Sequence, residues 1–245
     1  MRRPPLWVLG VALPLLATPW LGAADAQWRV WFFQWRGQRP VPPSQAPLLL
    51  TVDRDSLSLD QLLTPEERQA SPLWGQMGAW PWPRALQAEL AALVLERGAR
   101  QVVFNIVHSQ PSRYGPEDDR AFMRRLAPWR ARLVMAASLT RSDGGGMTQL
   151  NLQRPLQAGF HRVGLTSLLQ SPQGITEAIP GQDWLRENLA DFPTPHPPPL
   201  AFAVQGQAVP AQPLAINFPG PAGSLPQVPA WQVLQRPEAI WRGRT

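Results

Sequence analysis

The stretch Gly78-Ala79-Trp80-Pro81-Trp82-Pro83-Arg84 leads straight into a helical pattern at residues 85–97, and its flanks decide the fold. Leu86, Leu90, Leu93 and Val94 recur at helical spacing, and Gly98 supplies the stop. Pro83 suits the first helical turn, where a missing N–H costs nothing. Beyond the glycine runs Val102-Val103-Phe104-Asn105-Ile106-Val107. Upstream, Leu48-Leu49-Leu50-Thr51-Val52 ends in Asp53-Arg54-Asp55-Ser56. Neither apolar run alternates, so both read as buried strands. Strand, helix, strand at this spacing predicts a βαβ unit with adjacent or near-adjacent parallel strands. Val52, Leu90, Val103 and Phe104 are its expected core.

Working outward, residues 57–78 form a long connection in which Thr64-Pro65-Glu66-Glu67 caps a short helix. Pro116-Glu117-Asp118-Asp119 opens another helix, with acids in its first turn and arginines in its last, matching the macrodipole. A third strand is expected at 133–137. Asp143-Gly144-Gly145-Gly146 reads as a turn or a flexible loop. The segments 162–166 and 174–180 look like a strand pair around a Ser171-Pro172-Gln173-Gly174 turn. Residues 194–199 cap a short helix at 200–205, 214–218 is a strand, and 231–234 a short helix. The expected fold is one α/β domain with a mixed, mostly parallel sheet flanked by helices.

Among 245 residues, 44% are hydrophobic, enough for a core, while 30 prolines and 18 glycines punctuate the connections. The net charge is +6 and every basic residue is arginine, a bias of composition more than of function. The densest basic cluster is Arg120, Arg124, Arg125, Arg130 and Arg132. It reads as a solvated helix face, with Phe122 and Trp129 as packing residues, so no nucleic-acid partner is expected. The absence of cysteine removes disulfides, thiolate nucleophiles and cysteine metal sites.

Arg2 and Arg3 precede an uncharged stretch whose apolar part is residues 6–21, followed by small residues to Ala24. As a helix, residues 6–24 would span roughly 28 Å, about the hydrocarbon thickness of a bilayer. Ala24-Asp25-Ala26 has the form of a signal-peptidase site, so residues 1–26 are either a cleaved signal or a retained transmembrane anchor. The length of the run and the paired arginines favour a retained helix with the rest outside the cytoplasm. Residues 25–36 continue as an amphipathic stretch. There Trp28, Trp31, Phe32, Phe33 and Trp35 either form an interfacial aromatic belt or pack on the following domain.

In order, these blocks resemble the type-two CHASE domain, an extracytoplasmic sensor associated with cyclases and histidine kinases. The match rests on the strand ending Asp53-x-x-Ser56, Trp80-Pro81-Trp82-Pro83-Arg84 with its helix, and the strand after Gly98. It continues through Val163-Gly164, Pro172-x-Gly174-Ile175, Ile216-Asn217-Phe218-Pro219-Gly220-Pro221 and Leu225-Pro226-x-Val228-x-Ala230-x-x-Val233-Leu234. Asn105 stands where the family usually has Asp. The resemblance implies that residues 27–245 are a sensor domain in the periplasm. It further implies that the family's closing apolar strand would begin near Trp241, so that its last strand and any output domain are absent from this chain.

Three readings follow. In the first, an anchored sensor binds an unidentified small ligand at the carboxyl ends of the strands, near Asp53, Ser56, Trp80, Trp82, Arg84 and Asn105. Trp80 and Trp82 would wall the pocket and Arg84, at a helix amino terminus, would hold an anion, unless these residues simply pack against the sheet. Its partners would be the membrane, a second copy or a separate output protein. The second reading is an anchored hydrolase using Asp53, His108 and Asp118 or Asp119. Against it, the three histidines lack metal-ligand spacing and Ser56 lacks a nucleophile elbow. The glycine run is no phosphate loop, and no cyclase or kinase signature occurs. No cofactor or metal is implied. The third reading is an envelope scaffold without catalysis. Locally, Asp55 and Ser56 are expected to form a side-chain-to-backbone turn.

Overall fold

The computed structural model describes residues 19–39, 41–42, 46–141, 148–171, 174–190, 192, 196–221 and 223–242. Its helices are α1 (Pro19–Arg36), α2 (Arg54–Leu62), α3 (Pro65–Ala70), α4 (Arg84–Glu96), α5 (Pro116–Leu126), α6 (Arg154–Gly159), α7 (Gln182–Asn188) and α8 (Leu200–Gln205). The strands are β1 (Leu49–Thr51), β2 (Val102–Phe104), β3 (Leu133–Arg141), β4 (Thr148–Asn151), β5 (Val163–Leu165), β6 (Leu169–Gln170), β7 (Thr176–Ile179), β8 (Leu214–Ala215) and β9 (Gln227–Pro229). The chain is a mixed α/β fold, as the patterning predicts. Most of the expected membrane segment and the glycine run lie outside the described residues. Among the described residues, no helix is long and apolar enough to cross a membrane.

Strand β3 is the axis. It lies between β2 and β5, parallel to both, with Val134 opposite Val103 and Ala136 opposite Gly164. Its second half pairs antiparallel with β4, Ser138 opposite Asn151. Leu133, Val134, Met135, Ala136 and Ala137 expose nothing, as an unalternating central strand requires. Gly164 is fixed by contact rather than by φ. A Cβ there would lie 2.5 Å from the Leu200 Cα, so glycine alone lets α8 rest on β5.

Helix α4 is apolar on two faces. Ala88, Ala91, Ala92 and Leu95 join Phe104, Phe122, Leu126, Leu133 and Met135 in one cluster. Leu86, Leu90 and Val94 join Leu59, Met77, Trp82, Val228, Val233 and Trp241 in a second. The alanine face admits α5 closely, and Arg125 of α5 ties the pair by bonding Glu89 at 2.6 Å and Glu96 at 2.7 Å. The helix ends in a Schellman motif: Ala99 N–H donates to Val94 O at 3.0 Å and Gly98 N–H to Leu95 O at 3.1 Å. This requires the left-handed φ of +96° that Gly98 adopts.

Several expectations are corrected. The run around β1 reads as a buried strand adjoining β2, but β1 pairs with β9, parallel, Leu50 opposite Val228. Leu49, Leu50 and Val52 are exposed, and Val52 is not core. An unbroken apolar run says nothing about how many faces are covered, and a two-stranded pair covers few. Leu90 and Phe104 are buried as expected, while Val103 is half-buried. The single sheet expected from the sequence is divided: β1–β9, then β2, β3, β4 and β5, then β6–β7–β8. The hairpin around Ser171 is formed by β6 with β7, since the expected first strand is β5, committed to β3. Strand β8 spans two residues of the expected five, and 231–234 is replaced by a 3-10 turn at Ala230–Gln232. Residues 54–62, expected as chain after a turn, are helix α2. Pro83 precedes α4 as its cap residue rather than occupying its first turn.

Candidate functional site

At the end of β1 the carboxylate of Asp53 caps α2. Its Oδ1 accepts from Ser56 N–H at 2.9 Å and from Ser56 Oγ at 2.6 Å. The local turn expected around Asp55 and Ser56 is therefore made by Asp53, with Ser56 fully buried. Trp82 is buried, its Nε1 donating to Gly78 O at 2.6 Å, while Trp80 stays 42% exposed with its ring 6.0 Å from that of Trp82. The peptide between Trp80 and Pro81 is cis. Asn105 is exposed beyond β2.

Arg84 belongs to a buried polar network rather than to an open anion pocket. Its guanidinium contacts the Asp119 carboxylate, the Gln153 amide oxygen and the Gln110 carbonyl. Asp118, from the first turn of α5, caps α4 from across the interface. Its oxygens accept from Arg84 N–H at 2.8 Å and Ala85 N–H at 2.9 Å, and from the Ser112 hydroxyl. Asp119 also accepts from Ser112 N–H at 3.2 Å and Gln153 Nε2 at 3.3 Å. Pro83 has no side-chain donor or acceptor to offer this helix end. The partner that satisfies it stands 34 residues away.

His108 lies against the same network. Gln87 donates to Trp82 O at 3.1 Å and its Oε1 meets His108 Nε2 at 3.0 Å. Gln153 N–H donates to His108 O at 2.8 Å. Burial, and then the Arg84 charge, lower the His108 pKa to about 4, with the Asp119 charge and the Ile106 carbonyl opposing them. Of the residues expected at the strand ends, the structure joins Trp82 and Arg84 with His108, Asp118 and Asp119. Asp53 and Ser56 bond to one another, and Asn105 stands apart. The acid–base set drawn from Asp53, His108 and Asp118 is engaged in caps and a neutral ring. Among the described residues, no group of three histidine or acidic side chains is placed to hold a metal ion.

A second concavity lies where α1 meets the β6–β7–β8 sheet. Its volume is about 1010 Å³, and its lining includes Trp28, Phe32, Arg36, Glu177, Ala215 and Ile216. The Phe33 ring packs edge-on against Phe218 at 5.7 Å. The Arg36 guanidinium donates to Asn217 Oδ1 at 2.6 Å and bonds the Phe218 carbonyl, while its buried Nε has no partner. Sequence reasoning missed Arg36, Glu177 and Asn217. The one legible signal was the aromatic density of 28–35, which shows that this helix covers something without showing what.

A model of the CHASE2 domain family matches residues 7–245 of the chain. No curated protein and no solved structure matches it. The matched span takes in α1, both apolar clusters and every strand from β1 to β9, so the chain belongs to the CHASE2 family of extracellular sensor domains.

Proposed function

We propose that this chain is a membrane-anchored sensor domain outside the cytoplasm, and that its ligand binds in the groove between α1 and the β6–β7–β8 sheet. The supporting observation is the position of that groove. One wall is the helix that continues the uncharged run of residues 6–24, and the other is the domain. A molecule there touches both, so its binding energy bears on how α1 sits, and through α1 on the membrane segment. The strand-end cluster expected from the sequence is less suited, because Arg84 is already paired with Asp119. This reading is of a binding module rather than an enzyme. It is supported by Asp118, whose carboxylate serves a helix end.

The lining gives the ligand class. It is mostly apolar and aromatic, with Arg29, Arg36 and Glu177 as its charged members and the Arg36 Nε–H in want of an acceptor. This suits a small apolar molecule with one acidic or hydrogen-bond-accepting end. The test is a thermal melt of the full chain in lipid nanodiscs with phenylacetate and indole-3-acetate, in wild type and in Ala215→Trp, which fills the groove from an exposed position. Ligand present at about a hundred times its Kd stabilises by about 2.7 kcal/mol. The expected outcome is a raised melting point in wild type alone. Equal shifts in both proteins, or none in either, would overturn the groove assignment.

A further inference from the structure

We infer that the tryptophan face of α1 is a homotypic interface: Trp28, Trp31 and Trp35 of one chain pack, in parallel, against the same residues of a second copy. Trp28, Trp31 and Trp35 are 65%, 53% and 73% exposed, and their spacing of three and then four residues is the a, d, a step of a heptad seam. The rings are already ordered. Trp31 and Trp35 stack at 6.4 Å with 6° between planes, and Trp28 meets Trp31 edge-on at 5.6 Å. The domain holds α1 by a different side, through Phe33 on Phe218 and Arg36 on Asn217. Trp31 and Trp35, which do not line the groove, therefore face away from the chain's own domain, while Trp28, 65% exposed, borders the groove.

Two occupants compete for this face, a bilayer and another chain. Residues 19–24 of the uncharged run belong to α1, so its axis leads out of the apolar segment. From Ala24 to Trp35 an α-helix rises about 16 Å, whereas each headgroup layer is about 5–8 Å deep. For a helix leaving along the membrane normal, Trp28 falls among the headgroups and Trp35, the most exposed of the three, stands beyond them. Lipid covers one end of the seam and a second chain covers all of it. Two copies anchored in one membrane are necessarily parallel, which brings like residues opposite one another. This orientation rests on the anchored reading proposed above.

The chain has no cysteine, so single substitutions report cleanly. The full chain is expressed into membranes as Trp31→Cys or Trp35→Cys on the seam, or, flanking it, as Gln34→Cys beside the seam or Arg29→Cys on the side that carries Phe33 and Arg36. The membranes are washed with carbonate and then oxidised. We expect retention after the wash and disulfide-linked dimers at least about five-fold more abundant for the two seam positions than for the flanks, with the reduced variants melting like wild type. Retention with equal cross-linking at all four positions, or with none, overturns the interface. Release by the wash overturns the anchor, and with it the parallel geometry. As a second measurement, the brominated-lipid quenching of tryptophan fluorescence is compared between wild type and Trp35→Phe. Because the chain has 12 tryptophans, only the difference reports Trp35. A difference showing that Trp35 is quenched as in the acyl layer assigns the face to the bilayer and overturns the proposal.

Discussion

At Asp118 one side chain does the work of a missing cap. Proline at the start of α4 leaves its first amides without a local acceptor, and the carboxylate reaching across from α5 accepts two of them. Asp118→Ala is expected to cost about 3 kcal/mol, because two buried donors lose a charged partner, and Asp118→Asn about 1 kcal/mol, because one accepting oxygen remains. Urea unfolding distinguishes them, and equal losses would assign the effect to charge instead of acceptor count. His108 makes a pH prediction. Its folded pKa, about 4, lies below the ordinary 6.5. The unfolded chain therefore takes up a proton that the fold refuses. The stability that depends on neutral His108 is full above pH 6.5, declines as pH falls toward 4, and is level below that. The total is roughly 3 kcal/mol at about 1.4 kcal/mol per unit. Since carboxylates titrate in the same window, the measurement is the difference in urea stability between wild type and His108→Gln from pH 7 to pH 4. The two curves should converge toward acid.

At the scale of elements, the sequence is legible where a periodic or unbroken apolar pattern is long enough to require burial, whichever partner supplies it. Helices α4 and α5 and strand β3 lie where the patterning puts them, because each buries its apolar face against the others. Phe104, at the end of β2, packs on Phe122 with ring centres 5.4 Å apart. Phe104→Ala should cost about 3–5 kcal/mol in denaturant unfolding, and a loss under about 1 kcal/mol would contradict its burial. Pairing choices are where local pattern falls short. Nothing in Leu49-Leu50-Thr51 says that its partner is Val228 rather than Val103, since strand pairing is decided by which edges meet. The turn at Ser171 was legible from its residues, yet its leading strand was not. Helix α2 had its signal in Asp53 with Ser56 three residues on, the geometry of a helix cap as much as of a turn. In the candidate sites, Arg84 was legible as a charged residue at a helix start. Its neutralisation by Asp119, 35 residues away, was not.

For the molecule as a whole, the two apolar clusters share α4 as a common wall, so most of the protein unfolds together. Helix α1 is held more lightly. Its ties to the domain include the Phe33–Phe218 contact, the Arg36 bonds and, just beyond the helix, Arg39 N–H to Pro219 O at 2.6 Å. We expect the amides of α1 between Trp28 and Arg36 to exchange with deuterium at least about a hundred-fold faster than those of β3 in the wild-type chain. Equal protection would mean that α1 belongs to the same cooperative unit.

The pairing of β1 with β9 joins a strand near the start of the domain to one near its end, side by side and parallel. Tension drawn along the polypeptide, from α1 at one side and from beyond Trp241 at the other, pulls β1 by its first residue and β9 by its last. Parallel neighbours gripped in this way are loaded in shear. The hydrogen bonds that join Leu49–Thr51 to Gln227–Pro229 must then stretch together rather than open one at a time. A seam of only three residues on each side, with two exposed leucines, is therefore one that resists mechanically as a block.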